Sequence, residues 1–185
     1  MESTLINNII ERLQGRSIFL IGMMACGKSK TGPKLAEILK YKFIDLDLLI
    51  EKVSRKTISN IFNEEGEEVF RELETKCLSE VIKFPRLVVS TGGGVITKNQ
   101  NWGILRQGIV IWIDLRKEIA LKRLRREVDK RPLLFGKDLD ETYTKILDSR
   151  KDFYEEADIR IQINDESIFE VAERIIYKID QEIIN

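Results

Sequence analysis

The sequence predicts a three-layer α/β/α fold in which a five-stranded parallel sheet lies between two layers of helices. Five short apolar segments rich in β-branched residues alternate with amphipathic helical patterns. Segments that are apolar on both faces are typical of parallel strands covered by helices on both sides. The predicted strands are SIFLIG (17–22), YKFIDLD (41–47), RLVVSTGGG (86–94), GIVIWIDL (108–115) and IRIQIN (159–164).

Helical periodicity accounts for the segments around these strands. KSKTGPKLAEILK follows the first strand with an apolar face, and Pro33 fits only in the first turns of that helix. The last segment, 165–184, repeats apolar residues at helical period, and either Asp165 or Ser167 provides its N-cap. We also expect a short amphipathic helix before the first strand.

The length of 185 residues predicts one domain, 1–185. Two inserts interrupt the alternation of strands and helices. The first, about 48–85, is helical and charge-rich. The second, about 127–140, contains a proline, a glycine and mixed charge between two helices, which predicts a mobile lid.

Composition excludes several classes of function. Lysine plus arginine and aspartate plus glutamate both number 31, so no overall field attracts nucleic acid or an anionic membrane. Cys26 and Cys77 lack metal-ligand spacing, and the absence of histidine excludes a histidine-bound zinc and a histidine base. No signal peptide or membrane span is evident. We expect a cytoplasmic monomer without nucleic-acid or membrane partners.

The clearest functional motif is GMMACGKS (22–29), which matches G-x-x-x-x-G-K-[ST] between a strand and a helix. Backbone N–H groups of such a loop surround phosphate oxygens, and the helix N-terminus adds partial positive charge. Lys28 reaches the β and γ phosphates, and the Ser29 hydroxyl is a ligand for Mg²⁺. The predicted nucleotide-binding residues are Gly22, Ala25, Cys26, Gly27, Lys28, Ser29 and Lys30.

Two further motifs follow predicted strands, at the sheet edge where such folds bind ligands. In FIDLD, Asp45 and Asp47 share a face if both lie on a strand, one holding Mg²⁺ through water and the other facing an acceptor hydroxyl. The alternative is a turn with two solvated acids. TGGGV indicates either close approach of backbone N–H groups to a small ligand or a flexible turn.

Three arginines remain ambiguous when each is taken alone. Arg71 and Glu74 in VFRELE lie one helical turn apart and form an ordinary solvated pair if nothing else contacts them. Arg131 in KRPLL and Arg150 in SRKDFY are open to the same interpretation.

Taken together, these motifs resemble the shikimate kinase family over almost the whole chain. The resemblance is carried by GMMACGKS, FIDLDLLIE, ISNIF, EEGEEVFRELE, STGGGV, KRPLL and SRKDFY, in that order and spacing. It implies a nucleoside-monophosphate-kinase-like fold and ATP- and Mg²⁺-dependent phosphorylation of the 3-hydroxyl of shikimate, toward chorismate and the aromatic amino acids.

The resemblance also implies roles for individual residues. Asp47 corresponds to the acid that binds shikimate hydroxyls and accepts the proton, while Arg71 and Arg150 grip the carboxylate and Glu74 holds Arg71. Arg131 corresponds to a catalytic lid arginine that closes on the phosphates of ATP. The resemblance further implies that the ring of shikimate is lined by Phe62, Phe70, Gly92, Gly93 and Gly94, and that Mg²⁺ is held by Ser29 and Asp45.

The sequence departs from the family pattern at a few positions. Lys30 replaces the usual hydroxyl residue, so its charge either helps to hold phosphate or points to solvent. Ala25 stands where glycine is common, Pro33 where a basic residue is frequent, and INDES lacks an arginine expected near the adenine. Two alternatives therefore stay open: a related gluconate or nucleotide kinase, and a non-catalytic nucleotide-binding relative.

Overall fold

A parallel sheet of five strands forms the centre of the molecule, in the order β2-β3-β1-β4-β5. The structure is a computed structural model that describes residues 3–126, 134 and 138–183. The strands are β1 (Ile18–Ile21), β2 (Lys42–Asp45), β3 (Leu87–Ser90), β4 (Ile109–Leu115) and β5 (Ile159–Ile163).

Helices cover the sheet and fill the connections between its strands. They are α1 (Ser3–Leu13), α2 (Lys28–Leu39), α3 (Leu46–Ser54), α4 (Ile58–Glu64), α5 (Gly66–Val81), α6 (Asn99–Leu105), α7 (Lys117–Leu124), α8 (Leu139–Tyr154) and α9 (Ile168–Lys178). A short 3₁₀ helix, Val95–Thr97, follows β3, and a π-helical turn, Ile179–Ile183, follows α9.

The register of the sheet brings distant motifs to one edge. Ser90 pairs with Leu20 of β1 on one side and with Asp45 of β2 on the other. All four residues of β1 are buried, as are those of β3, because both faces of these strands are covered. The carboxyl ends of β1, β2 and β3 therefore place their following loops side by side.

The predicted number and parallel direction of the strands are confirmed, as is the helix before β1. Pro33 lies inside α2, and α9 begins with a capping box made by Ser167 and Glu170, so Ser167 and not Asp165 is the cap. A serine side chain satisfies a free N–H group of the first turn, which stops the helix from starting earlier.

The expectation that Asp45 and Asp47 share a strand face is wrong. β2 ends at Asp45, whose Oδ1 accepts hydrogen bonds from the N–H groups of Asp47 (3.1 Å) and Leu48 (3.2 Å). Asp45 is thus the N-cap of α3, and Asp47 lies in the first helical turn. Aspartate favours this position because its carboxylate binds otherwise unpaired N–H groups, which ends the strand early.

The helical character predicted for the first insert is confirmed by α3, α4 and α5. The predicted lid is a different case, because Arg131 and most of 127–140 lie outside the described residues. Across the described ranges, no helix combines the length and the apolar character needed to cross a membrane.

Candidate active site

The phosphate loop forms a tight turn between β1 and α2. Gly22 has φ 141°, and a Cβ atom there would lie 2.4 Å from the carbonyl oxygen of Ile113, so the position requires glycine. Ala25 has φ 63°, in the left-handed region, although it carries a side chain. This conformation costs an alanine about 1–2 kcal/mol. The loop therefore keeps a glycine-type conformation at a position occupied by alanine.

Lys28 lies within the loop and is only 8% exposed. Its Nζ donates to the carbonyl oxygens of Gly22 (2.7 Å) and Met23 (3.1 Å) and lies 3.5 Å from the Sγ of Cys26. Carbonyl oxygens are neutral acceptors, whereas phosphate oxygens carry negative charge and so add ion pairing to the hydrogen bond from the ammonium. The ammonium is thus held at the mouth of the loop by partners that a phosphate can replace.

Ser29, Asp45 and Ser90 place oxygen atoms beside the phosphate loop that could hold a metal ion. The Oγ atoms of Ser29 and Ser90 lie 3.3 Å apart, and Asp45 pairs in register with Ser90. Because one oxygen of Asp45 caps α3, this residue has one carboxylate oxygen left to accept from a metal-bound water. A small number of protein oxygen ligands is what Mg²⁺ requires, because this ion usually keeps several water ligands and also binds the substrate phosphates. No cluster of three or more acidic or thiol side chains suited to a metal occurs in the described ranges.

The three glycines after β3 pack against acidic and basic side chains from the first insert. A Cβ atom on Gly92 would lie 2.4 Å from Oε1 of Glu74 and 3.0 Å from Oδ1 of Asp47. A Cβ atom on Gly94 would lie 2.4 Å from the guanidinium of Arg71. A larger residue at either position would displace these charged groups, so glycine is what allows them to lie against the loop.

Gly93 lies between the phosphate loop and α8. A Cβ atom there would be 3.4 Å from the carbonyl oxygen of Gly22 and 3.4 Å from Nη1 of Arg150. The same Gly22 oxygen accepts the hydrogen bond from Lys28. Gly93 therefore marks the place where the phosphate-binding residues meet the arginine contributed by α8.

Arg71 is buried and held by two carboxylates of its own helix. Its Nη1 donates to Glu74 at 2.9 Å, and its Nη2 and Nε donate to Glu67 at 2.9 and 3.2 Å. The guanidinium also lies 5.0 Å from the ring centroid of Phe70, which packs against Phe62 at 4.9 Å. The pair Arg71–Glu74 is thus not the solvated pair that its spacing alone permits, because α5 turns it into the interior.

Glu74 is fully buried, at 0% exposure. Burial raises the pKa of its carboxyl, the Asp47 carboxylate raises it further, and Arg71 works in the opposite direction. Its Oε1 accepts no hydrogen bond from the described residues and faces Gly92. A buried carboxylate oxygen without a donor is costly, so a water molecule or a ligand hydroxyl would be a favourable donor to this atom.

The sequence predictions named most of the residues that the structure brings together. Asp47 lies against Gly92, Arg150 lies against Gly93, and Arg71, with Phe70 beside it, lies against Gly94; Gly93 is also close to Gly22 of the phosphate loop. Lys30 is exposed, away from these contacts, while Arg131 lies outside the described residues.

Three residues were missed. Ser90 precedes TGGG at the end of a strand, and this position at the ligand-binding edge is a usable signal. Arg123 on α7 donates to the carbonyl oxygen of Ala25 at 3.2 Å, and Tyr154 on α8 donates to that of Gly93 at 2.8 Å. Tyr154 ends the motif SRKDFY, but the motif does not reveal its partner, and the two contacts join residues 98 and 61 positions apart.

Comparison with known proteins agrees with this geometry. The family model described as Shikimate kinase matches residues 24–180. A shikimate kinase of Prochlorococcus marinus (strain NATL2A) is 52% identical over 162 residues, covering 88% of this chain and 82% of the relative. Another shikimate kinase, from Microcystis aeruginosa, is 45% identical over 165 residues, covering 89% of this chain and 86% of the relative.

Among solved structures, the shikimate kinase from Acinetobacter baumannii in complex with shikimate matches with a TM-score of 0.90. The two chains are 33% identical, and the match covers 96% of this chain and 99% of the other. This chain thus shares its fold with that shikimate kinase, and the fold carries the phosphate loop, the buried arginines and the glycine loop described above. This chain belongs to the shikimate kinase family.

Proposed function

We propose that the chain transfers the terminal phosphoryl group of ATP to the 3-hydroxyl of shikimate, giving shikimate 3-phosphate and ADP on the route to chorismate and the aromatic amino acids. The observation that carries this proposal is the position of Gly93, between the Gly22 carbonyl of the phosphate loop and the guanidinium of Arg150. A small acid gripped by arginines at this loop lies directly beside the phosphates of a bound nucleotide.

Arg71 and Arg150 bind the carboxylate of shikimate in this proposal. Both are less than a tenth exposed, so their hydrogen bonds to a carboxylate form away from water. Arg71 enters this role already oriented by Glu74 and Glu67, which reduces the entropy lost on binding. The orphaned Oε1 of Glu74 accepts from a ring hydroxyl, and Phe62 and Phe70 form an apolar wall for the ring.

The phosphate loop binds ATP through its backbone N–H groups and Lys28. Lys28 leaves the carbonyl oxygens of Gly22 and Met23 and turns to the β and γ phosphates, whose negative charge it neutralises. Other proposed ATP-binding residues are Gly22, Ala25, Cys26, Gly27, Ser29, Lys30 and Arg131.

Asp47 accepts the proton of the attacking hydroxyl. It stands in the first turn of α3, close to Gly92, and a carboxylate suffices because phosphoryl transfer depends mainly on positioning and charge neutralisation. Ser29 and, through water, Asp45 would hold Mg²⁺, which supplies positive charge to the phosphate oxygens when bound. The proposed proton acceptor thus lies against Gly92 of the glycine loop, and the next residue, Gly93, lies beside the Gly22 carbonyl of the phosphate loop.

We further propose that the chain acts as a single kinase domain with the segment around 48–85 binding substrate and the segment around 127–140 serving as lid. A cytoplasmic monomer is the form we expect to be active. Two buried free thiols, Cys26 and Cys77, suit a reducing compartment in which ATP is supplied.

Phosphate transfer from ATP to shikimate, gluconate and AMP tests the function. We expect kcat/KM for shikimate to exceed the others by at least about 10³, since a pocket that pairs buried charges with substrate groups rejects analogues that lack them. 3-Deoxyshikimate is the matched control, and it should bind without being phosphorylated. Equal activity on gluconate or AMP favours a related kinase, and shikimate binding without turnover favours the non-catalytic alternative.

A further inference from the structure

Tyr154, the last residue of α8, is fully buried beside the glycine loop although no role in the proposed reaction has yet been given to it. Its hydroxyl donates to the carbonyl oxygen of Gly93 at 2.8 Å. Its ring stacks on Trp112 of β4, with the ring centroids 5.5 Å apart and an angle of 14° between the planes. A central strand of the sheet thus fixes the ring that holds the glycine loop.

Trp112 also packs against a cation from the neighbouring strand. The guanidinium of Arg160 lies 4.3 Å from the Trp112 ring centroid and forms an ion pair with Asp114 at 2.7 Å. Arg160 is on β5, which pairs directly with β4. A cation over the indole face limits the freedom of that ring, and stacking passes the restriction on to Tyr154.

The Gly93 carbonyl matters because of the peptide to which it belongs. In a trans peptide the C=O of one residue and the N–H of the next share a plane and point in opposite directions. A hydrogen bond that fixes the Gly93 carbonyl therefore fixes the direction of the Gly94 N–H. In the described part of the chain, the N–H groups of Gly93 and Gly94 donate no hydrogen bond, which leaves them for a ligand.

Arg150 stands one helical turn before Tyr154, and both side chains reach the same glycine. A Cβ atom on Gly93 would lie 3.4 Å from Nη1 of Arg150 and 3.7 Å from the hydroxyl of Tyr154. Burial raises the pKa of the Tyr154 hydroxyl, so it stays a neutral donor. One turn of α8 thus supplies both a carboxylate-binding group and a hydrogen bond to the loop facing it.

We propose that Tyr154 is a positioning residue for the acceptor: it holds the Gly93–Gly94 peptide so that the Gly94 N–H is presented to the bound acid. The inference rests on the proposed function, because the acid it concerns is shikimate. The residue acts through the glycine loop and touches neither the nucleotide nor the reacting oxygen.

Tyr154→Phe tests this directly, since it removes one hydroxyl and leaves the stacked ring. We expect the shikimate KM, and the shikimate dissociation constant from calorimetry, to rise about tenfold, the effect of losing one well-aligned hydrogen bond. The KM for ATP should change by less than about twofold, because no phosphate-binding group is moved. A general loss of packing would instead raise both KM values together and lower the melting temperature.

Tyr143→Phe is the matched control, because Tyr143 is also a buried tyrosine of α8 whose hydroxyl has no hydrogen bond within the described ranges. It should leave the KM for shikimate within about twofold of the wild-type value. If Tyr154→Phe behaves like Tyr143→Phe, the inference is wrong while the proposed function stands. If the wild-type chain does not bind shikimate, the proposed function itself fails.

A second readout observes the peptide without turnover. Residues 92–94 are the only adjacent glycines in the chain, so labelling glycine with carbonyl ¹³C and amide ¹⁵N gives carbonyl-to-amide correlations only for Gly93 and Gly94. We expect the Gly94 correlation of the wild-type protein to shift when shikimate is added. We also expect the Tyr154→Phe substitution to shift the same correlation in the ligand-free protein. A Gly94 signal unaffected by the substitution would overturn the proposal even if the KM changed.

Discussion

The two halves of the site are built in different ways. The phosphate loop is one contiguous segment, 22–29, that offers backbone N–H groups and a single ammonium. The acceptor half is assembled from three helices and one loop that are far apart in the chain, through Asp47 of α3, Arg71 of α5, Arg150 of α8 and the loop Gly92–Gly94. A motif search therefore finds the first half, whereas only the folded chain assembles the second.

The halves also differ in how their charges are held. Arg71 is paired with two carboxylates before any ligand binds, and Glu74 is completely buried. Lys28, by contrast, is bound to neutral carbonyl oxygens. Buried charges without partners are costly, so the acceptor half is rigidly preorganised. In the phosphate loop, which is the donor half of the site, the partners of Lys28 can instead be exchanged for phosphate oxygens. Substitutions in the acceptor half should accordingly have larger effects than those at the edge of the donor half.

The largest effect should come from Asp47→Asn. The amide keeps the shape but accepts the proton of the attacking hydroxyl poorly, so kcat should fall by about 10²–10⁴. The ATP dissociation constant should stay unchanged, because Asp47 is not among the residues proposed to bind ATP. Steady-state kinetics and calorimetry measure both, with the exposed Asp152→Asn as control. Near-normal turnover would remove Asp47 from the chemistry.

Arg150→Ala should have the next largest effect, on substrate affinity. Removing one of the two arginines of the proposed grip should raise the shikimate KM at least about tenfold, because hydrogen bonds to charged groups are among the strongest available. Lys151→Ala, at the exposed neighbouring position of α8, is the matched control. An unchanged KM in Arg150→Ala would mean that the carboxylate binds elsewhere.

Glu74→Gln sharpens the comparison through the pH dependence of stability. The folded-state pKa of Glu74 is raised above its ordinary value of 4.5, so its stabilising contribution is complete below that pH and is lost as the pH rises through the raised pKa. Wild-type stability minus that of Glu74→Gln should therefore fall with rising pH, by at most about 1.4 kcal/mol per unit. Denaturant unfolding at several pH values measures this difference.

The exposed Glu72→Gln on the same helix serves as the control for that series, and its difference from wild type should stay flat. A flat difference for Glu74→Gln as well, from pH 4.5 to neutrality, would show that its pKa is not raised.

Lys30→Thr should have the smallest effect. The Lys30 side chain is exposed, and its N–H donates to the carbonyl oxygen of Gly27 at 3.0 Å, a bond that threonine keeps. We expect the ATP dissociation constant to change by less than about tenfold, since an exposed charge contributes little. A larger change would show that the Lys30 side chain binds phosphate. Nucleotide binding by the donor half would then depend on the charge of Lys30 as well as on Lys28 and the backbone N–H groups.

Much of the fold was predictable because its signals are local. Apolar strands alternating with helical periods predicted a parallel sheet, and Ser167 with Glu170 is a recognisable helix start. Asp45 was misjudged even though an aspartate before an apolar helical run is itself a capping signal. The alternating pattern of FIDLD favours a strand through Asp47, whereas the capping signal favours a helix that starts after Asp45. The structure shows the helix start.

The rest depended on tertiary packing. Spacing alone allowed Arg71 and Glu74 to be a solvated pair, and only the docking of α5 buries them against Gly92 and Gly94. Tyr154 reaches Gly93 across 61 positions of sequence, a contact set by the stacking of α8 on β4. No hydrophobic period or short motif predicts contacts between residues so far apart in the sequence. The acceptor half of the site could therefore be predicted only from the resemblance to a known family.

A crystal structure with shikimate and a non-hydrolysable ATP analogue tests most directly whether the two halves meet at Gly93. We expect the 3-hydroxyl oxygen to lie about 3–4 Å from the γ-phosphorus, the near-attack distance, with the carboxylate between Arg71 and Arg150. Shikimate bound away from the glycine loop, or with its 3-hydroxyl turned away from the terminal phosphate, would contradict this arrangement.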